Sequence, residues 1–393
     1  MNNKRAGSAR KKFNFFRKRV INVMRIGVPT EIKKHEYRVA LLPEGARQLN
    51  QRGHTVMVQS GAGDGCGIAN QQYEAAGATI VNDRDQLWAD SEMVVKVKEP
   101  LEEEFHLMRE GQILFTFFHF AASRELTNAV IRSRSVAIAY ETMERRDGTL
   151  PVLLPMSEVA GRMAVQEGAR CLEKPFGGRG ILMGGIPGVK PARVTVLGGG
   201  VVGAHAAQIA SGMGAYTTIL DIHLPRLRYL EEIMPENVQT LFSDASTIEA
   251  SVAEADMVIG AVLKKGARAP HLISRRMLSS LKPGVVLVDV SIDQGGCFES
   301  SHPTTHDDPV FIDEFALHYC VANIPGAVPL TSTPGLCNTT LPFVLAIAES
   351  GWKAAAADSP EIRSGINIVD GQVVYSGVAD TFALSHIPID SLL

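Results

Sequence analysis

The sequence predicts an α/β protein of two doubly wound domains with parallel sheets, one inserted into the other. Three observations carry that prediction. Apolar runs of strand length alternate with helix-like stretches along most of the 393 residues, the pattern of parallel strands joined by right-handed crossovers. The length exceeds what a single core normally serves. The alternation is interrupted once, by a long helical stretch and a glycine-rich crossing over residues 156–192, and then starts again.

The first 23 residues stand apart. They carry Lys4, Arg5, Arg10, Lys11, Lys12, Arg17, Lys18 and Arg19 and no acid. Setting those eight aside leaves 31 basic residues against 42 acidic, a net of −11, so the formal −3 hides an acidic body behind a basic extension. Such a tail suits nucleic acid, acidic lipid or an import machinery. It has no secretory apolar segment, because Phe15 and Phe16 are followed at once by Arg17, Lys18 and Arg19. We read residues 1–23 as a disordered extension and expect no nucleic-acid partner. Met24 opens the first folded strand and would serve as an initiator.

From Met24 the strand-like runs are Arg25–Val28, Thr55–Gln59, Thr79–Val81, Met93–Val97, Ile113–Phe118 and Val136–Tyr140. Helix-like stretches lie near Glu44–Arg52, Gln71–Ala76, Arg84–Ala89, Glu102–Arg109 and Arg124–Arg134. This set predicts one domain at 24–155, completed by 322–393. Met156–Lys174 reads as one long helix, with Ser157 near its start, small residues throughout and Pro175 closing it. The second set is Arg193–Leu197, Tyr216–Leu220, Val238–Phe242, Met257–Val262 and Val285–Val290, which places the inserted domain at 156–321. A helix near Leu341–Ser350 is expected to return to the first domain, leaving 156–174 as the bridge.

Composition narrows the classes. The chain is 45% hydrophobic and 21% charged, as soluble globular proteins are. Its five cysteines are scattered without a CxxC pair, so neither a disulfide framework nor a zinc ribbon is indicated, and no metal is expected. A reducing, cytoplasmic compartment fits that usage. The densest apolar stretch, Ile113–Phe118, is of strand length, so no membrane span is expected.

The most specific motif opens the second set. The strand Arg193–Leu197 runs into Gly198, Gly200 and Gly203 in GxGxxG spacing, then a helix, then a strand ending in an acid, Asp221. Gly198 permits the tight turn, Gly200 lets backbone N–H groups approach a pyrophosphate, and Gly203 lets the helix pack close on the strand. The helix N-terminus favours the phosphate charge. Asp221 stands 23 residues past Gly198, where a carboxylate binds both ribose hydroxyls. The second set is thus read as a Rossmann-like domain for a dinucleotide. Asp221 repels a 2′-phosphate, which favours NAD over NADP, although His223, Arg226 and Arg228 follow closely.

Binding a dinucleotide does not name a reaction. Polar groups at strand ends are the next candidates, because ligands bind at the carboxyl ends of parallel strands. Arg38 lies in the polar loop after the first strand. Lys96 and Lys98 alternate with valines, and spacing does not choose between them. His119 ends the run of Phe117 and Phe118. Asp293 follows Val285–Val290 and precedes Gln294, Gly295 and Gly296, where a turn former would also stand. Two cations, an imidazole and a carboxylate suit a small 2-oxo or 2-amino acid: Arg grips a carboxylate with two hydrogen bonds, Lys anchors or polarises, and His exchanges a proton near neutral pH.

Ordered segments then carry a resemblance. They are Arg25–Glu31, Glu36–Ala40, Val95–Pro100, Gly111–Phe117, Pro155–Gly161, Gly260–Leu263, Asp289–Glu299 and Cys320–Asn323. From Met24 to about Gly351 the chain resembles the bacterial alanine dehydrogenases, which are related to nicotinamide nucleotide transhydrogenase alpha subunits. The resemblance implies that Arg38 and Lys98, the latter rather than Lys96, contact the substrate carboxylate and carbonyl. It implies His119 as acid/base and Asp293 as second catalytic residue. Ser157, Asp221, Val262, Leu263 and Asn323 fall at cofactor-contact positions. The implied activity is NAD-dependent oxidative deamination of L-alanine to pyruvate and ammonia, in a hexamer whose domains close over a cleft. Residues 1–23 have no counterpart, and the segment from about Ala354 is loosely matched.

Three alternatives stand beside that expectation: a dehydrogenase of glycine or another small amino acid, an NAD(H)-binding transhydrogenase alpha-like subunit that works with a membrane partner, and a catalytically silent NAD sensor. The intact set Arg38, Lys98, His119 and Asp293 is what a pure hydride-relay subunit would not need.

Overall fold

The computed structural model describes residues 23–262 and 269–393. Residues 1–22, with the basic segment, and Leu263 lie outside the described residues. The first sheet is built by β1 (Arg25–Val28), β2 (Thr55–Gln59), β3 (Thr79–Val81), β4 (Met93–Val95), β5 (Ile113–Thr116) and β6 (Val136–Ala139). The second holds β7 (Arg193–Leu197), β8 (Tyr216–Asp221), β9 (Val238–Phe242), β10 (Met257–Gly260), β11 (Val286–Asp289), β12 (Val310–Asp313) and β13 (Ala316–Tyr319). The chain then rejoins the first sheet with β14 (Ile366–Val369) and β15 (Gln372–Val373). Two Rossmann-like domains result, the second inserted into the first.

The orders are β15-β14-β6-β5-β4-β1-β2-β3 and β12-β13-β11-β10-β7-β8-β9. Each sheet reverses direction of growth beside its first strand, between β1 and β4 and between β7 and β10. Those reversals open crevices outside the carboxyl ends of the strands. Strands β4, β5, β6, β10 and β11 are buried along their whole length, as the continuous apolar runs require when helices cover both faces.

The edges differ from expectation. β12, β14 and β15 add antiparallel pairs, β12 to β13, β14 to β6 and β15 to β14. Their turns use left-handed residues: Glu314 (φ 53) before β13, and Asp370 (φ 49) with Gly371 (φ 77) before β15. The segment Glu102–Leu107 is a 3₁₀ helix rather than an α-helix.

The returning helix runs from Pro329 to Asp358, far beyond Leu341–Ser350, and kinks at Gly351 (φ 75). Pro334 and Pro342 inside it read as breaks in the sequence. Ser332 and Thr340 are buried there by donating their hydroxyls back to the Val328 and Leu336 carbonyls, at 3.0 and 3.2 Å.

The bridge is the helix Leu154–Cys171. Met156 near its start packs in the first core, with Val152 just ahead of it, and Val159, Met163 and Ala164 pack in the second. It lies on the helix Val201–Gly212 at Gly161, where a Cβ would stand 2.2 Å from the Val202 carbonyl oxygen. Gly161→Ala must therefore push the two helices apart. We expect a loss of about 1–3 kcal/mol, read as a lower melting temperature in calorimetry together with weaker NADH binding.

Candidate active site

Both sheets deliver polar residues from the carboxyl ends of their strands. β1 leads to Glu31, Glu36 and Arg38, β4 to Lys96 and Lys98, β5 to His119, and β6 to Glu141. In the second sheet β7 leads to Gly198, β8 ends in Asp221, β10 leads to Val262, and β11 to Asp293.

Arg38 is buried, with its side chain 2% exposed. Its Nε and Nη2 donate to the two carboxylate oxygens of Glu36 at 2.7 and 2.5 Å. Nη2 also donates to Asn323 Oδ1 at 2.8 Å, and Asn323 Nδ2 donates to Glu36 Oε2 at 3.0 Å. Burial alone would raise the Glu36 pKa, but the Arg38 charge and the hydrogen bonds from Arg38 and Asn323 hold it at about 2. Among the described residues Arg38 Nη1 faces only the Met156 thioether, 3.0 Å away, a weak acceptor. One edge of the guanidinium is thus fixed and the other is left for a better partner.

The two lysines separate. Lys96 Nζ donates to Glu104 at 2.9 Å and lies 3.4 Å from Glu31, all three side chains buried. Lys98 forms no ion pair among the described residues. Burial lowers its pKa, against the pull of Asp293 and with the push of Arg38. Lys96 is a structural counter-ion, and Lys98 is the cation that feels Asp293.

His119 takes a left-handed backbone, φ 51 and ψ 43, which a non-glycine residue holds only when its surroundings enforce it. Glu141 does so: its carboxylate accepts the N–H groups of Phe118 at 3.2 Å and His119 at 2.6 Å. The imidazole stacks on Phe117, centroids 5.7 Å apart and planes within 3°. Burial, and then the charge of Lys98, push the His119 pKa well below its ordinary range against the pull of Asp293. The ring is therefore neutral at neutral pH. Asp293 is exposed on the short 3₁₀ turn Val290–Gln294. Buried Asp289 shapes that loop by accepting from Ser291 N–H (3.0 Å), Cys297 N–H (2.8 Å) and Ser301 Oγ (2.6 Å).

His119, Met156, Ser157, Val262, Asp293 and Gln294 line one cleft between the sheets, of about 140 Å³. Arg38 reaches that cleft through Met156. Val202, within the GxGxxG segment, is a wall of the same cleft, so the glycine loop opens onto it. The loop has the shape a dinucleotide needs. Gly198 sits at φ 104, where a Cβ would come within 2.6 Å of the Ala261 carbonyl oxygen. At Gly203 a Cβ would meet the Gly198 carbonyl oxygen at 1.8 Å, whereas at Gly200 it would point into open space. Asp221 Oδ2 accepts Gly199 N–H at 2.7 Å, and Oδ1 accepts His223 N–H at 2.8 Å. Arg226 Nε donates to the Gly199 carbonyl at 2.6 Å. Asn323 stands apart from this group: its side-chain amide is spent on Arg38 and Glu36.

The models of the N-terminal and C-terminal domains of alanine dehydrogenase/PNT match residues 27–160 and 164–376. The chain belongs to the alanine dehydrogenase/PNT family. It is 54% identical to the alanine dehydrogenase of Halomonas elongata over 94% of its length and all of that protein. It is 51% identical to that of Mycobacterium tuberculosis strain H37Rv over 91% of this chain and 96% of that one. With that of Bacillus subtilis it shares 51% over 94% of this chain and 98% of the other. A solved L-alanine dehydrogenase structure superposes with a TM-score of 0.87 at 49% identity, covering 92% of this chain and 99% of that one. A transhydrogenase from Sinorhizobium meliloti shares the fold, with a TM-score of 0.76 at 23% identity. Among the described residues, no helix of this family member is long and apolar enough to cross a membrane.

Glu36, Glu141 and Asp289 escaped the sequence reading as supports of the site, although Glu141 and Asp289 stand at strand ends as the candidates do. Burial raises the Glu141 pKa from 4.5 to about 7. A carboxyl with a raised folded pKa adds stability that is full below about pH 4.5 and is lost as pH rises through about 7. Glu141→Gln keeps an acceptor for the His119 amide and removes the titration. Melting temperature across that window should fall more steeply for the native protein than for Glu141→Gln; parallel curves would refute the raised pKa.

Proposed function

We propose that this chain catalyses the reversible, NAD-dependent oxidative deamination of L-alanine to pyruvate and ammonia. The observation that carries the proposal is the cleft lined by His119 and Asp293, with buried Lys98 and Arg38 near enough for their charges to act on His119, in a chain about half identical to relatives named alanine dehydrogenase.

Arg38 receives the substrate carboxylate at Nη1, its other edge being held by Glu36. Lys98, an ammonium whose charge burial makes costly, donates to the carbonyl or carboxylate oxygen. Gly198, Gly200, Gly203, Asp221, Ser157 and Val262 hold the cofactor, and Leu263 keeps the assignment its resemblance gives. We assign the Asn323 side chain to the support of Arg38. When bound, NAD supplies the hydride acceptor for the substrate Cα. Either His119 or Asp293 takes a proton from the water that adds to that carbon and returns it to the departing nitrogen. Fixing these groups on two rigid sheets contributes through positioning. Preference for NAD over NADP is supported by the Asp221 charge and by Arg226, which is engaged with the glycine-loop carbonyls.

A homo-hexamer and a cytoplasmic location complete the reading. Support for self-association comes from exposed Leu182 (66%), Ile186 (60%) and Val189 (61%), on and beside a hairpin that lies against Met213. Light scattering on the purified protein should give six times the protomer mass.

The direct test is NADH oxidation followed at 340 nm with pyruvate and ammonium, omitting each in turn. Loss of absorbance should require both and should prefer NADH to NADPH. No oxidation despite NADH binding would reject the proposal. His119→Ala and Asp293→Ala should each lower kcat by about 10²–10⁴-fold with NADH affinity retained; full turnover in either variant would sink that residue's role.

A further inference from the structure

Gln294 lines the same cleft as His119 and Asp293. Its backbone is pinned, because its carbonyl accepts Ala269 N–H at 3.1 Å and Gly295 follows at φ 91. Its side-chain oxygen Oε1 is buried and has no hydrogen-bond partner among the described residues. A buried amide oxygen is rarely left so, because it forfeits its water without compensation.

We propose that Gln294 Oε1 is a binding group that accepts an N–H from the molecule seated in the cleft, and that with Asp293 it forms the wall receiving the reacting nitrogen. The identity of that nitrogen rests on the alanine dehydrogenase reading. The charges divide accordingly. Arg38 and Lys98 come from the first sheet and match a carboxylate, whereas the Asp293 carboxylate and Gln294 Oε1 come from the second and offer acceptors. A neutral acceptor has a specific advantage there. The nitrogen must surrender a proton before its lone pair can assist loss of hydride. A second carboxylate would hold it as ammonium, whereas an amide oxygen orients the N–H without adding charge.

The carboxamide of NAD carries the same donor chemistry, so the experiment separates the two sources. Gln294→Leu removes the acceptor, and Gln294→Glu keeps it with a charge. With the nitrogen of the substrate as donor, Gln294→Leu raises KM for ammonium and alanine about tenfold and leaves KM for pyruvate and NADH affinity by fluorescence titration unchanged. Gln294→Glu then keeps KM for ammonium near the native value and moves the pH optimum of alanine oxidation upward. With the carboxamide as donor, Gln294→Leu weakens NADH but not the reduced 3-acetylpyridine analogue, which lacks the N–H. Unchanged constants in Gln294→Leu, or equal losses in both variants, would overturn the proposal. Failure of the native protein to use pyruvate and ammonium would overturn the alanine reading instead, and the NADH titration would still report on the acceptor.

Discussion

The buried cluster of Arg38, Glu36 and Asn323 is the constraint on which the cleft depends. Arg38 and Glu36 belong to the loop after β1, and Asn323 to the chain as it leaves β13. Apart from the Arg38 Nη1 edge that faces Met156, the polar edges of the cluster are matched, with contacts of 2.5–3.0 Å. Taking away one partner would strand a charge in a site from which water is excluded. The cluster therefore sets three things together: the orientation of the guanidinium, the place where the two domains touch, and the left-handed turn at Asn323 (φ 63) that sends the chain back to the first domain. Gly326 follows for a related reason, since a Cβ there would lie 2.7 Å from Asn323 Nδ2.

From this anchor the cleft acquires two unlike walls. The wall from the first sheet has buried Arg38 and Lys98 behind it, and its imidazole is kept neutral by desolvation and by the neighbouring ammonium. The wall from the second sheet is acidic and open, with Asp293 exposed on a loop that Asp289 folds from beneath. The strained backbone of His119 belongs to the same design. Glu141 accepts two successive amides, and the ring is thereby held flat on Phe117.

Much of this was legible in the sequence because it follows from local rules. Strand length, glycine spacing and the acid ending β8 pointed to the glycine loop, and strand ends pointed to Arg38, to Lys96 or Lys98, to His119 and to Asp293, the resemblance choosing Lys98. What escaped depends on contacts between distant segments. Lys96 and Lys98 look alike until Glu31 and Glu104 are seen to neutralise one of them. Asn323 falls at a cofactor position by resemblance, and what the sequence did not show is that its amide lies 2.8 Å from a guanidinium contributed by residue 38. The returning helix was underestimated because proline reads as a break, and Pro334 and Pro342 stand inside it. The Asp370–Gly371 turn was a readable hairpin signal that went unused.

The insertion has a mechanical meaning. The second domain is joined to the first by two covalent links rather than one, the helix Leu154–Cys171 going out and the segment Asn323–Pro329 coming back. A body on one link can swivel; a body on two side-by-side links resists torsion and yields mainly to bending about the line through both. Whatever relative movement this chain makes is channelled toward opening and shutting, so Asp293 approaches His119 along nearly the same arc each time. Accuracy of aim is secured by connectivity, at no cost in side-chain contacts.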